Sequence, residues 1–360
     1  MAIKGLSMDA MEQGKVQGEA LACSTEGSSS PFLVRFHAGH FRISLGLSSQ
    51  ALLLQTLQIS ESFHLEPRLY EQLLVIIWLI SVFILMIFSS FYSVKCIFYF
   101  EAVKQEYMDR IRVNYLFVPW ISAMLLTLST PKSISDHINP FFLFIFMVPL
   151  LALELKIYGQ WFLGGKSRLL SRVANPSTQI CVVGNFVGAT LAAKCGWKES
   201  AVFLFSVGIS HYIVLFVTLY QKLPSNSSIP KQLHPVLFLF IALPSTACVA
   251  WESIAGSFEN VARITYFLAL FSFMALVVRI NLFRGIRFSA AWWACAFPLN
   301  SLAIATIHYA QQMSSPVVNI MADIFSVIST LCVLFLSLAT IINIQIGFWK
   351  KYKSIRNINH

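Results

Sequence analysis

Charge is scarce in this sequence of 360 residues. Lys, Arg, Asp and Glu together make up 12% of it, about half of the roughly 25% found in soluble domains. Hydrophobic residues make up 57%, and the mean hydropathy is +0.69. So few charged side chains could not cover the surface of a water-soluble fold of this size. The composition therefore predicts an all-α polytopic membrane protein.

The sequence also lacks the short motifs of the common enzyme classes. It contains no G-x-x-x-x-G-K-[ST], G-x-G-x-x-G, H-E-x-x-H or G-x-S-x-G, so the usual nucleotide, zinc and hydrolase signals are absent. His211 and His308 are isolated from other catalytic residue types, and each is interpreted as a packing histidine rather than a general base. We therefore expect no enzyme activity, no cofactor and no metal site.

Paired cysteines are missing as well. None of the seven cysteines forms a C-x-x-C pair, and most fall in apolar runs, which favours buried thiols over a disulfide framework or a zinc site. The net charge of +10 could indicate nucleic-acid binding in a soluble protein. In a membrane protein it is explained by Lys and Arg in cytoplasmic loops, so the expected partner is the lipid bilayer and not nucleic acid.

What the sequence does contain is a series of long apolar runs, which predict ten membrane-spanning helices. The first and fifth of these are the least apolar. Residues 1–32 are predicted to be a short disordered N-terminal tail, and 349–360 a short basic C-terminal tail. The ten helices are placed near 33–57, 70–98, 114–130, 138–161, 178–195, 199–221, 234–252, 260–282, 287–310 and 316–348.

The distribution of Lys and Arg predicts the orientation. With the N-terminus in the cytoplasm, 21 of the 26 basic residues lie on the cytoplasmic side. This asymmetry follows the positive-inside rule, so both termini are expected to be cytoplasmic. The five basic residues left on the outer side are Arg68, Lys132, Lys194, Lys198 and Arg263.

Odd-numbered helices differ from even-numbered ones in their helix breakers. Each odd helix carries a glycine or proline near mid-depth, namely Gly46, Pro119, Gly188, Pro244 and Pro298. Such breakers are tolerated in lipid where neighbouring helices or water satisfy the freed backbone groups, although Gly and Pro also occur in ordinary membrane packing. The alternation predicts five helical hairpins, in which the odd helices form an inner pore ring, kinked and lined at these residues, and the even helices an outer ring.

Polarity and charge show the same alternation. The odd helices carry Ser, Thr, Asn and Gln at depth but no Asp or Glu before Glu252, whereas Glu154 and Asp323 lie in even helices. Cation-coupled transporters usually place a carboxylate in the pathway. Arg42, about ten residues into the first helix, would instead favour anions. Alternatively, Arg42 extends to the cytoplasmic interface or pairs with Glu154.

Phe297 immediately precedes Pro298 at the estimated middle of the ninth helix. An aromatic ring there could close a narrow pore sterically and by dewetting. The alternative is an ordinary core or lipid-facing position, as for most of the 31 phenylalanines.

Ten stretches of the chain are similar to the plant slow (S-type) anion channel family and its bacterial relatives, the tellurite-resistance/dicarboxylate transporter proteins. They follow one another in order over most of the chain. The resemblance implies ten helices in five hairpins over 33–348, trimers with one pore per subunit, and passage of chloride and nitrate. The stretches are 45–51 (LGLSSQA), 95–104 (KCIFYFEAVK), 153–161 (LELKIYGQW), 173–177 (VANPS), 182–189 (VVGNFVGA), 218–221 (TLYQ), 234–235 (HP), 279–283 (RINLF), 288–298 (FSAAWWACAFP) and 305–309 (ATIHY).

The resemblance also implies roles for single residues. Phe297 matches the family's pore-occluding phenylalanine, and Lys104 and Arg279 match basic residues around the cytoplasmic mouth. Two departures are Gln105, where a long regulated member has a basic residue, and Arg42, where that member has glycine. The short predicted tails resemble the short-tailed homologue branch.

These features together predict a plasma-membrane anion channel subunit for chloride and nitrate. We expect a homotrimer, or a heterotrimer with homologous channel subunits. Two alternatives remain at this point. One is a proton-coupled organic-anion or dicarboxylate carrier, and the other is an electrically silent subunit that modulates a longer homologous channel.

Overall fold

The structure, a computed structural model, describes residues 32–60, 67–135, 137–163, 170–222, 231–286, 288–313 and 315–358. This part of the chain contains α-helices and 3-10 segments and no β-strand. The helices longer than one turn are α1 (Arg42–Ser60), α2 (Pro67–Phe98), α3 (Phe100–Met108), α4 (Val118–Leu128), α5 (Phe141–Leu163), α6 (Gln179–Lys194), α7 (Lys198–Lys222), α8 (Leu239–Ala255), α9 (Asn260–Val278), α10 (Ala296–Met313) and α11 (Pro316–Ile358).

Many of these helices are long and apolar enough to cross a membrane. Seven segments of the described residues meet that condition, and an eighth is added if Phe100–Met108 and Arg112–Leu128, which meet at a bend of 108°, count as one span. Helices α1 and α6 are not among them, as expected for the two least apolar predicted spans. The prediction of an all-α polytopic membrane protein is confirmed.

The helices fall into two sets by their contacts. The inner helices α1, α4, α6, α8 and α10 contact one another in a closed cycle, and each also packs on the helix that follows it. We call these following helices the outer helices, and they are α2, α5, α7, α9 and α11. In the apolar windows of the segments around α8 and α10, 61% and 83% of the residues are buried, against 11% to 33% in the outer helices.

Burial of the inner set explains why its sequences tolerate Ser, Thr and Asn, since polar groups there find partners inside the protein. The outer helices instead expose large aliphatic and aromatic side chains such as Phe83, Val148, Phe203, Phe271 and Phe335. This is the surface chemistry that lipid tails require.

A ring of 3-10 segments precedes the inner helices. We call it the 3-10 rim: Ala38–Phe41, Arg112–Phe117, Pro176–Thr178, Lys231–Phe238 and Ala290–Cys295, each leading directly into an inner helix. Neighbouring segments contact one another around the cycle.

The rim corrects the interpretation of two prolines. Pro119 and Pro298 lie in the first turn of α4 and α10, where the 3-10 segment becomes α-helix, rather than breaking an α-helix midway. The first turn suits proline because its missing N–H has no intrahelical partner there. Pro244 does lie inside its helix, α8.

Gly46 and Gly188 also differ from expectation, since α1 and α6 run through them unbroken. A Cβ on Gly46 would lie 2.8 Å from Cε3 of Trp293 and 2.9 Å from Cβ of Ala296. A Cβ on Gly188 would lie 2.5 Å from Sδ of Met147. Both glycines therefore permit close packing of neighbouring helices instead of bending their own.

Two boundaries differ from the predicted spans. Helix α3 was not predicted, and its polar sequence places it between two spans. Helix α11 continues to Ile358, through residues assigned above to a C-terminal tail, because that stretch contains neither proline nor glycine after Gly347. The predicted N-terminal tail lies outside the described residues except for Phe32.

Candidate functional site: a cavity between the inner helices

A cavity of about 30 Å³ lies between the inner helices, and all five of them contribute to its wall. That volume has room for about two water molecules, since one needs about 10–15 Å³. None of its lining residues carries a formal charge. They are Ser49, Leu52, Leu125, Leu128, Val187, Thr190, Thr246, Val249, Phe297, Ser301 and Ile304.

The four hydroxyl groups in the wall donate to their own helices. Ser49 Oγ donates to the carbonyl oxygen of Gly46 at 2.8 Å, and Ser301 Oγ to that of Phe297 at 2.9 Å. Thr190 and Thr246 donate to carbonyls one turn earlier at 3.0 and 2.9 Å. To bind an ion, each hydroxyl would have to break its hydrogen bond to the backbone carbonyl, at a cost of about 1 kcal/mol for each bond. In this conformation the cavity therefore offers an ion little compensation for lost hydration.

Phe297 is the aromatic side chain in the wall, and it is almost fully buried. It is the second residue of α10, directly after the rim segment Ala290–Cys295. Its neighbour Ala296 would meet any Cβ placed on Gly46, so α1 packs closely against α10 beside the ring. None of the predicted breakers lies in the wall. Gly46 and Gly188 serve in helix packing, Pro119 and Pro298 lie at helix starts, and Pro244 lies inside α8.

A buried polar network fixes α10 against α1 and α11 beside the cavity. Asn300 Nδ2 donates to Ser49 Oγ at 2.8 Å and to the carbonyl oxygen of Gly46 at 3.3 Å. Ser329 Oγ on α11 donates to Asn300 Oδ1 at 2.6 Å. Ser329 lies on outer helix α11, so the polar alternation that favours the odd helices did not predict it as a partner of Asn300.

Arg42 is the first residue of α1, next to the rim, and only 7% of it is exposed. Its Nε donates to the carbonyl oxygen of Gly39 at 2.8 Å, and its guanidinium carbon lies 4.7 Å from the ring centroid of Tyr115. It forms no ion pair with Glu154, and its buried Nη1 has no hydrogen-bond partner. A desolvated cation with an unused donor is well suited to attract an anion.

Two histidines precede Arg42, outside the spanning helices. Burial, followed by repulsion from His40 in its protonated form and from the cations Arg42, Arg112 and Lys95, lowers the pKa of His37 to about 2. Burial also lowers the pKa of His40. Both imidazoles are therefore neutral near pH 7, so Arg42 carries the charge in this group.

Lys104 and Arg279 lie in different surroundings from Arg42. Lys104 is on α3 with 54% of its side chain exposed, and its Nζ lies 3.7 Å from Oε2 of Glu101. Arg279 is exposed at the C-terminal end of α9. The charge of each is therefore screened by solvent and dissolved ions.

A buried ion pair that the sequence analysis missed joins Lys95 to Glu106, with 1% of each side chain exposed. Lys95 Nζ also donates to the carbonyl oxygen of Phe36 at 2.6 Å. Glu106 Oε2 accepts from the backbone N–H of Ala38 at 3.2 Å and from the Tyr92 hydroxyl at 3.2 Å. The pair thus holds α2, α3 and the chain before α1 together, close to Arg42. The sequence feature that could have indicated this ion pair is the lysine within the apolar run of α2.

A second cavity, of about 300 Å³, lies between α3, α5 and the rim. Lys156 in its wall donates to the carbonyl oxygen of Tyr107 at 2.6 Å, and its Nζ lies 2.9 Å from the Tyr107 ring centroid. Arg110 and Asp109 also line it. This cavity places further basic side chains at the rim end of the bundle.

The buried carboxylate of Glu154 lies on outer helix α5 and does not line the 30 Å³ cavity. Its Oε1 has no hydrogen-bond partner. Glu252, at the far end of α8, lies 2.9 Å from Nδ1 of His308. Among the residues that the structure describes, no Asp or Glu lines the cavity that contains Phe297.

Comparison with known proteins gives a consistent family. The model of the family described as SLAC1, voltage-dependent anion channel, matches residues 35–341. The guard cell S-type anion channel SLAC1 of Arabidopsis thaliana is 49% identical over 315 residues, which are 85% of this chain and 56% of that protein. The S-type anion channel SLAH1 of the same plant is 44% identical over 313 residues, 85% and 81% of the two chains.

A more distant relative is the tellurite resistance protein TehA homolog of Haemophilus influenzae, which is 26% identical over 301 residues, 80% of this chain and 85% of that protein. The alignments span 49% to 59% of the length of the relatives SLAC1, SLAH3 and SLAH2.

Proposed function

This chain belongs to the SLAC1 family of voltage-dependent anion channels, and on that basis we propose that it is a subunit of a plasma-membrane channel that passes chloride and nitrate. Flow is passive, through a pore in each protomer. The observation that carries the proposal is the cavity between the inner helices, whose uncharged wall is drawn from all five of them and includes Phe297.

The pore runs along the axis of the inner helices, with the 3-10 rim at its cytoplasmic end. Support for this orientation comes from the positive-inside distribution of Lys and Arg, which also places both termini in the cytoplasm. An anion entering from the cytoplasm then passes Arg42 before it reaches Phe297.

Phe297 closes the pore in this conformation. An ion at that level would lose hydration, and the nearby hydroxyls are already committed to backbone carbonyls. A narrow apolar constriction of this kind excludes ions by dewetting as well as by size. Opening requires the ring to leave the axis, after which rotated hydroxyls replace part of the hydration shell.

Basic side chains near the rim raise the local anion concentration. Arg42 makes the largest contribution because it is buried and its Nη1 is unused. Lys104 and Arg279 add a weaker attraction, since both are exposed to screening ions.

The functional unit is a homotrimer or a mixed trimer with homologous channel subunits, and regulation comes through co-assembly. Two rival functions are a proton-coupled organic-anion carrier and an electrically silent subunit. The uncharged wall weighs against the carrier, because proton coupling usually places a carboxylate in the pathway.

The test is the substitution Phe297→Ala, measured by voltage clamp in chloride and in nitrate. Removing the ring should raise the current on the order of ten-fold, which corresponds to about 1.4 kcal/mol off the barrier to permeation. The matched control is Leu299→Ala, which shortens a buried side chain of the same helix that does not line the cavity. It should leave the current within about two-fold of the wild-type value.

Unchanged or lower current from Phe297→Ala, at normal surface expression, would remove the gate assignment. Flux that saturates with substrate and follows the proton gradient instead of voltage would indicate the carrier. Current that appears only on co-expression with a longer homologue would indicate the modulating subunit.

A further inference from the structure

We propose that Cys295 and Cys332 form a redox modification site, in which oxidation joins them as a disulfide and holds the pore closed. The thiols belong to the rim segment Ala290–Cys295 and to outer helix α11. The effect on the pore rests on the function proposed above, whereas formation of the bond does not.

The two sulfur atoms lie 3.5 Å apart. A disulfide requires about 2.05 Å, so the sulfurs need to approach by about 1.5 Å, which side-chain rotation with a small backbone adjustment can supply. Among the described residues no other two thiols contact each other, although Cys96, Cys181, Cys195 and Cys248 are also free.

Contacts around the two thiols hold the rim segment Ala290–Cys295 against α11. Trp293, two residues before Cys295, donates from Nε1 to Thr340 Oγ1 on α11 at 2.9 Å. Val333 and Leu336 of α11 belong to the same buried cluster as Trp293 and Cys295. The rim segment is thus already attached to α11 on one side, and the thiols are the second point of attachment.

The difference in exposure between the two thiols predicts which sulfur is oxidised first. Cys332 is half-buried and Cys295 is buried, so a small oxidant reaches Cys332 first. Susceptible cysteines are commonly those that combine access with a nearby resolving thiol. Cys295 occupies that resolving position.

The chemistry balances with a hydroperoxide such as hydrogen peroxide as the oxidant. The Cys332 sulfur attacks a peroxide oxygen, so an S–O bond forms, the O–O bond breaks and the first water leaves. The Cys295 sulfur then attacks the Cys332 sulfenic acid, so the S–S bond forms, the S–O bond breaks and the second water leaves. Two thiols lose two electrons and two protons, and the peroxide is reduced to two waters.

The bond would act on Phe297 because only Ala296 separates it from Cys295 in the chain. Ala296 packs closely against Gly46 of α1. A covalent link from Cys295 to α11 therefore holds the backbone at the start of α10 on both sides and opposes the backbone movement that would take the Phe297 ring off the axis.

The first experiment detects the bond in the full-length protein in membranes. After treatment with hydrogen peroxide, free thiols are blocked and the protein is digested without reductant. Mass spectrometry should find a linked peptide pair containing Cys295 and Cys332 in the wild type and in Cys96→Ser, which removes a half-buried thiol from another outer helix. The pair should be absent from Cys295→Ser and Cys332→Ser. Absence from the wild type, or linkage of either cysteine to a different partner, overturns the proposal.

The second experiment measures current. Peroxide should lower the anion current at least two-fold in the wild type and in Cys96→Ser, dithiothreitol should restore it, and Cys295→Ser and Cys332→Ser should not respond. A linked peptide with unchanged current overturns the closing effect. A linked peptide in a protein without any current upholds the site and counts against the proposed channel function, so the two failures are distinguishable.

Discussion

At the scale of single residues, burial separates basic side chains that the sequence treats alike. Arg42, Lys104 and Arg279 all carry one positive charge near the rim end of the bundle. Only Arg42 is buried and keeps a donor unused, whereas Lys104 is exposed beside Glu101. The free energy with which a charge attracts an anion rises as the local dielectric constant falls, so we assign these residues unequal roles.

Substitution of Arg42 by glutamine tests this difference. At an effective dielectric constant of 20, a unit charge attracts an anion 8 Å away by about 2 kcal/mol. Arg42→Gln should therefore raise the chloride concentration at half-maximal current several-fold, as measured by voltage clamp over a series of chloride concentrations. Arg42→Lys retains the charge and should stay close to the wild type, and Lys104→Gln should change little. Equal effects of Arg42→Gln and Lys104→Gln would contradict the unequal roles.

Lys95 and Glu106 show how a residue pair can organise several elements. Their charges have been removed from water, which is costly unless each is fully paired. Backbone groups of Phe36 and Ala38 and the Tyr92 hydroxyl complete that pairing. The pair thereby fixes the chain that leads into α1, and with it the place of Arg42.

At the scale of elements, the inner helices differ from the outer helices in how they begin. Each inner helix follows a 3-10 segment, and the 3-10 segments form a rim. The tighter 3-10 geometry is common in short pieces at helix ends. Here it brings Phe297 to the wall of the cavity immediately after the last rim segment.

The close contact of α1 with α10 predicts the outcome of a glycine substitution. Gly46→Ala would place a Cβ within 2.9 Å of Ala296 Cβ and 2.8 Å of Trp293 Cε3, so we expect a loss of about 1–3 kcal/mol in the free energy of unfolding. Gly159→Ala is the control, because a Cβ at Gly159 of α5 would meet nothing within 4 Å. It should be neutral or stabilising by up to about 1 kcal/mol. Thermal unfolding in detergent measures the stability of both variants. An equal melting temperature for the two would refute the packing role of Gly46.

At the scale of the whole molecule, apolar outer helices surround inner helices that hold most of the buried polar groups. The exposed Leu, Ile and Phe of the outer helices suit lipid or a neighbouring subunit. The inner helices form a closed cycle of contacts, so one chain contains a complete wall. The proposed conduction along the axis of each protomer is consistent with that closure.

Orientation in the membrane can be tested with cysteines in two exposed loops. Ser133 lies between α4 and α5, and Arg284 follows α9. If the rim faces the cytoplasm, Ser133→Cys should react with a membrane-impermeant maleimide in intact cells, whereas Arg284→Cys should react only after permeabilisation. The unmodified protein supplies the background labelling of its own thiols. The reverse pattern would invert the topology and place Arg42 at the outer mouth.

The sequence by itself determined the class of the protein, because a composition so poor in charge is stable only with a lipid-facing surface. It also separated the helices into the two kinds that the contacts distinguish, since burial inside the bundle tolerates the small polar residues of α1, α6 and α10. The proposed orientation likewise needs only the positions of Lys and Arg.

Only the tertiary structure decided which side of each inner helix faces the cavity. Helix rotation depends on contacts between residues far apart in the chain, such as Gly46 with Trp293 and Ser49 with Asn300, and periodicity within one helix does not contain them. For the same reason only the structure showed that Gly46 and Gly188 are packing contacts and that Pro119 and Pro298 lie at helix starts. The Lys95–Glu106 pair and the thiols of Cys295 and Cys332 became visible only when separate helices were brought together.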